Sequence, residues 1–216
     1  MDMTTIAIVD NDRFALGMLA QIVGRALPGA AVIWTSEDGE TAVHRCLYEG
    51  DAAAPDVLLL DMSLNGDPGA CQDGVDVCRR IREASIRPAV LCLTSYSRRH
   101  YRQAAIDAGA QGLIGKDVTP KELAAAIDAV AAGRTFDGFM TAAVAHESLA
   151  ASAQRSAALS DQEREVLRLY AANRTTEEIA DMLGIKPSTV FVVTRHAKRK
   201  LGAVTRAEAI RAFLGR

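Results

Sequence analysis

Over the first 133 residues, short apolar runs alternate with stretches in which apolar residues return every three or four positions. Thr4–Val9, Ala31–Thr35, Val57–Leu60, Ala89–Leu93 and Gly112–Ile114 are nearly unbroken runs of aliphatic residues bounded by polar or turn-forming ones, the pattern of strands buried on both faces. Between them, Leu19, Ile22, Val23 and Ala26, and later Leu123, Ile127 and Val130, repeat with helical spacing. Thr119-Pro120-Lys-Glu122 predicts a helix start, because Thr caps, Pro fits the first turn and Glu complements the helix dipole. Five such repeats predict an α/β doubly wound, five-stranded parallel sheet with right-handed crossovers.

The pattern then changes. Residues 141–158 are rich in Ala and Ser without apolar periodicity and read as a flexible tether. Beyond them, Ser160-Asp-Gln-Glu163, Thr175-Thr-Glu-Glu178 and Thr205-Arg-Ala-Glu208 each match a capping box ahead of an apolar helical pattern. The segment from Glu177 to Leu201 reads as a helix, a tight turn at Gly184-Ile185 and a second helix opened by Pro187, which is a helix-turn-helix layout. The expected organisation is a domain over 1–135, a linker over 136–157 and a small all-α domain over 158–216.

Charge sharpens this division. Residues 1–154 carry 13 Lys and Arg against 20 Asp and Glu, whereas residues 155–216 carry 12 against 7, so the acidic part suits a cation and the basic part a polyanion. No apolar run approaches the roughly 20 residues of a membrane span, and no leader pattern precedes the first strand, so a cytoplasmic location without a membrane partner is expected. Cys46, Cys71, Cys78 and Cys92 lack metal-ligand spacing and read as reduced thiols.

Polar residues stand where the strands stop. Asp10, Asn11 and Asp12 follow the first, Asp61 ends the third, Thr94 ends the fourth, and Lys116 follows the fifth. In an open parallel sheet those carboxyl ends line the ligand crevice. Two acidic sites, a hydroxyl and an ammonium converging there suit an aspartate that accepts a phosphoryl group beside a divalent cation.

In order and spacing these segments resemble a two-component response regulator of the NarL/FixJ type, a flavodoxin-like receiver followed by a LuxR-type helix-turn-helix domain. The output signature lies in Leu159-Ser-Asp-Gln-Glu163, Glu178-Ile-Ala-Asp-Met-Leu-Gly184, Ser188-Thr-Val190 and Arg199-Lys-Leu201-Gly202. The resemblance implies strand order 2-1-3-4-5, Asp61 as phosphoacceptor, and Thr94 and Lys116 as phosphoryl-binding groups. It also implies Mg²⁺ held by Asp10, Asn11, Asp61 and the Ser63 backbone carbonyl, with Asp12 as an alternative ligand. It implies DNA contacts from Lys186, Ser188, Thr189, Phe191, Val192, Arg195, Lys198 and Arg199. The implied partners are a sensor histidine kinase, double-stranded DNA and, on activation, a second copy pairing through the Thr205–Leu214 helix by way of Ala209, Ile210 and Phe213.

Four departures stand out. Asn11 replaces an acid. The loop after Asp61 reaches Asp73-Gly74 only after five extra residues and has Asn65 at the usual proline. Leu113 replaces an aromatic that switches rotamer in many receivers, which leaves Thr94, backbone shifts, Tyr96 or Tyr101 to carry the signal. Tyr101 itself lies in a segment that reads as a solvated helix start. Phe191 replaces a lysine, and an exposed Phe191-Val192-Val193 face is alternatively a protein-binding surface. A haloacid-dehalogenase-like phosphatase would need a second Asp where Ser63 stands, so a non-enzymatic regulator is expected. The alternative is an orphan regulator acting by protein contact or constitutive dimerisation without phosphorylation.

Overall fold

The structure, a computed structural model, describes residues 3–64, 73–157 and 159–215. It divides into two compact units, Met1–Glu147 and Ser148–Arg216.

In the first unit β1 (Thr4–Val9), β2 (Ala30–Ser36), β3 (Val57–Asp61), β4 (Ala89–Thr94) and β5 (Gly112–Gly115) alternate with α1 (Arg13–Ala26), α2 (Gly39–Leu47), α3 (Gly74–Ala84), α4 (Arg98–Asp107) and α5 (Pro120–Ala131). All pairings are parallel, in the order β2-β1-β3-β4-β5. Because successive strand side chains point to opposite faces, the aliphatic runs feed two cores. Ala7, Val9, Leu58, Leu60, Val90 and Cys92 meet Val43, Val77, Cys78, Ile81 and Ala105 on one side. Ile6, Ile8, Leu59, Leu91 and Leu93 meet Leu16, Leu19, Val23, Leu123 and Ile127 on the other. Thr119 and Glu122 close their capping box at the start of α5.

The expected flexible tether is instead α6 (Ala142–Ala157), and the boundary between the units falls within it. Alanine has the highest helix propensity and needs no apolar stripe to express it. The first turns are also anchored within the first unit: Ala145 is fully buried and His146 Nδ1–H donates to the Arg82 carbonyl at 2.7 Å.

The second unit contains α7 (Asp161–Ala171), α8 (Thr176–Leu183), α9 (Pro187–Leu201) and α10 (Arg206–Phe213). The three expected capping boxes close at Ser160, Thr175 and Thr205. Gly184, at φ 64°, makes the left-handed turn that frees α9 from α8. Val166, Leu169, Tyr170, Ile179, Val190 and Val193 form one cluster, and Leu159, Leu167, Ala197, Leu201 and Ala209 a second. Ala209 is fully buried there, while Ile210 and Phe213 pack against these clusters and stay half-buried, so the apolar stripe of α10 is shared between the core and the surface.

Cys46, Cys78 and Cys92 are free and buried, and desolvation pushes the Cys46 thiol up to about 12. Cys71 and the loop with Asn65 lie outside the described residues. No described helix is long and apolar enough to cross a membrane.

Candidate functional site

The parallel register aligns the carboxyl ends of the strands. Asp61 pairs with Leu93, one residue before Thr94, and β1 ends beside β3 so that Asp10 follows Val9 into the same crevice. The Lys116 backbone N–H donates to the Thr94 carbonyl at 2.8 Å. Its Nζ lies 2.6 Å from Asp10 Oδ2 and 3.0 Å from Asp61 Oδ1. One ammonium therefore bridges two carboxylates that are 0% and 3% exposed, an arrangement that leaves the crevice with net negative charge.

Burial pushes the Asp61 carboxyl upward and Asp10 adds to this, more than Lys116 and the Ser63 backbone N–H pull it back. Burial opposes the Lys116 ammonium, yet the Asp10 and Asp61 carboxylates outweigh it and hold Lys116 above the ordinary lysine range. Asp10 Oδ2 makes no hydrogen bond of good geometry beyond this ion pair. Buried, under-satisfied carboxylate oxygens are the hard donors that a divalent cation takes, so the crevice fits Mg²⁺.

Asn11 and Asp12 are both exposed, and the second is already committed. Its carboxylate accepts from the Phe14 backbone N–H at 2.8 Å as the N-cap of α1, while its own N–H donates to Asp10 Oδ1 at 3.0 Å. Among the described residues, no three Asp, Glu, His or Cys side chains converge on one metal position. Gly74, the first residue of α3, is pressed against β3: a Cβ there would stand 2.0 Å from the Asp61 carbonyl oxygen.

Thr94 is buried, and its Oγ1 accepts from the Tyr96 N–H at 3.0 Å. Tyr101 is not the solvated residue that its segment predicts. It is half-buried against the core, its hydroxyl lies 2.9 Å from Ser63 Oγ, and its ring meets those of Tyr96 and His100. Leu113 is buried beside a cavity of about 270 Å³ walled by Phe136, Phe139, Arg98 and Arg102.

Sequence reasoning passed over Arg82. Fully buried, it donates to the carbonyls of Gly109, Ser85 and Pro88 and to Gln111 Oε1, tying α3 to the loops before β4 and β5. Among its neighbours Arg79 and Arg80 it looks like one more solvated charge, and nothing in the sequence separates it from them.

On α9 the two faces are sharply different. Val190, Val193, Thr194, Ala197 and Leu201 point into the core, which removes Val193 from the expected exposed apolar face. Ser188, Phe191, Val192, Arg195 and Arg199 are exposed and, at 3.6 residues per turn, share an arc about 100° wide. Lys186 is exposed at the N-cap and Thr189 is half-buried. Lys198 Nζ donates to the Val204 carbonyl at 2.8 Å, so that ammonium has a structural bond.

Residues 6–128 match the family of response regulator receiver domains, and residues 157–213 match the luxR family of bacterial regulatory proteins. The DNA-binding transcriptional activator DevR/DosR of Mycobacterium tuberculosis is 31% identical, covering 96% of this chain and 92% of its own. The transcriptional regulatory protein DesR of Bacillus subtilis is 30% identical over 96% of this chain and 95% of its own. A solved two-component response regulator of the LuxR family from Aurantimonas sp. SI85-9A1 superposes with a TM-score of 0.54 at 26% identity, covering 70% of this chain and 98% of that one. The chain belongs to the response regulators that join a receiver domain to a luxR-family regulatory domain.

Proposed function

We propose that phosphorylation of Asp61 controls how this regulator binds DNA. The bridge from Lys116 to both Asp10 and Asp61 at the carboxyl end of the sheet is the observation that carries the reading. Asp61 attacks the phosphorus of a phosphohistidine on a sensor kinase; the O–P bond forms as the N–P bond breaks, and the histidine leaves with its electron pair. Lys116 and Thr94 then bind phosphoryl oxygens, and Lys116 loses part of its pairing with Asp61. A divalent cation held by Asp10, Asp61, Asn11 and the Ser63 carbonyl would neutralise phosphoryl charge.

In the output unit, the exposed face of α9 enters the major groove, with Lys186, Arg195 and Arg199 meeting phosphates or base edges and Ser188 and Thr189 adding hydroxyls. A single short helix covers little DNA, so two copies are expected to read two half-sites. Ala209 is in the core, and the half-buried Ile210 and Phe213 of α10 are the residues through which that pairing is expected. The setting is the cytoplasm, where the DNA target lies. The test is duplex binding before and after acetyl phosphate treatment: affinity should rise in the wild type and stay constant in Asp61→Asn. An equal response in the two proteins would remove phosphorylation of Asp61 from the account.

A further inference from the structure

Phe191 is 61% exposed and Val192 41% exposed on a helix whose other aliphatic side chains are in the core. They sit side by side in the first two turns of α9, where Arg195 and Arg199 share their exposed arc and Lys186 is exposed at the N-cap. An apolar pair framed by cations is poorly suited to a neutral protein groove and well suited to a polyanion that offers apolar groups between its charges. Duplex DNA does so in one place. The major groove displays the 5-methyl group of thymine, the apolar mark among its donors and acceptors.

We propose that Phe191 and Val192 read thymine methyl groups, so that this chain selects A·T pairs at the positions facing the start of α9. The inference rests on the reading of α9 as the DNA-contacting helix and adds which base it seeks. A lysine at position 191 would favour the O6 and N7 acceptors of guanine. Phe191 donates no hydrogen bond and gains by excluding water from a methyl group. Arg195 and Arg199, one and two turns further along the same arc, hold the helix against the phosphates while the apolar pair meets the base edges.

The test uses the full chain treated with acetyl phosphate. Tight duplexes are selected from a random-sequence pool, and each thymine is then replaced by deoxyuridine, which pairs identically and lacks the methyl group. Affinity is read by fluorescence anisotropy. At one or more half-site positions, removing the methyl should weaken wild-type binding about fourfold, the ratio that corresponds to ~0.8 kcal/mol for one buried methyl-sized group. Phe191→Ala should bind the thymine duplex more weakly and lose the distinction between thymine and deoxyuridine at the position facing Phe191. Phe191→Lys should shift the selected sites toward guanine. Val192→Ala should reduce the discrimination further along the site. Because both side chains are exposed, these variants should keep the helix content of the wild type.

Equal wild-type affinity for thymine and deoxyuridine at every position would overturn the inference while leaving DNA binding intact. Undiminished discrimination in Phe191→Ala would overturn it too. If Phe191→Ala instead alters self-association and leaves duplex affinity unchanged, the pair is a protein contact and the inference is wrong. Failure to select any duplex above background would remove the DNA reading of α9 and this inference with it.

Discussion

The crevice at the end of the receiver sheet and the outer face of α9 are built on opposite terms. The first gathers Asp10, Asp61, Thr94 and Lys116 from four strand ends and keeps the acids and the hydroxyl almost entirely out of water. The second takes its residues from one helix and leaves them in solvent. Charges placed in a poorly solvated site depend on each partner, whereas a solvated face adds up contributions that are nearly independent. A single change should therefore silence the crevice, while the α9 face should weaken by degrees.

The sharpest break is at Asp61. Asp61→Asn should abolish labelling by radioactive acetyl phosphate, and persistent labelling would place the acceptor elsewhere. Next in size is Arg82→Leu, which leaves the carbonyls of Ser85 and Pro88 without this donor, while Gln111 Oε1 keeps the Val90 N–H and the Gly109 carbonyl keeps Gln111 Nε2. Unsatisfied buried acceptors cost ~1–3 kcal/mol each, so a loss of about 3–5 kcal/mol is expected in urea unfolding. The one tryptophan, Trp34, lies on β2 and reports on the first unit alone. A loss below about 1 kcal/mol would mean that water replaces the guanidinium. Gly74→Ala should follow at about 2 kcal/mol, because its Cβ has to push α3 away from the Asp61 carbonyl, and the same shift should slow phosphorylation.

On α9 the corresponding changes should leave folding alone. Arg195→Gln and Arg199→Gln should each alter stability by less than about 0.5 kcal/mol, and each should lower the slope of log affinity against log salt by about 1. A cooperative collapse of binding from either one alone would contradict the independence argued for this face.

The same contrast explains what was legible in the sequence. The strands could be read because β1, β3, β4 and β5 are buried on both faces, so each is an aliphatic run whose polar stop marks the crevice; β1 matches its expected bounds and the other four strands extend by one or two residues. The inner face of α9 follows from its period, and the starts of α7, α8 and α10 from their caps Ser160, Thr175 and Thr205. Contacts between distant segments left no such mark. Arg82 is a charge among charges until the Gly109 and Pro88 carbonyls surround it, Tyr101 looks solvated until Ser63 comes near, and α6 has propensity without pattern. The stripe of α10 is plain in the sequence, but the stripe alone does not say how much of it meets its own core: Ala209 is buried there, and Ile210 and Phe213 are half-buried.

The smallest expected effect concerns Asn11, where the two regimes meet, since an exposed residue borders the buried acids. If Asn11 supplies a neutral oxygen to the cation, Asn11→Asp adds one negative charge at a partly solvated position, which is worth on the order of 1 kcal/mol, or about fivefold to tenfold in Mg²⁺ affinity by metal titration. Asp12 is the competing ligand, but its carboxylate already caps α1 through the Phe14 N–H. Asp12→Ala should therefore cost ~1 kcal/mol of stability through the lost cap and change Mg²⁺ affinity little. The two variants separate the alternatives, because a helix cap is read by unfolding and a metal ligand by titration. A large loss of Mg²⁺ affinity in Asp12→Ala, with no gain in Asn11→Asp, would show that Asp12 leaves its cap to bind the metal, and the border residue would then belong with the buried crevice.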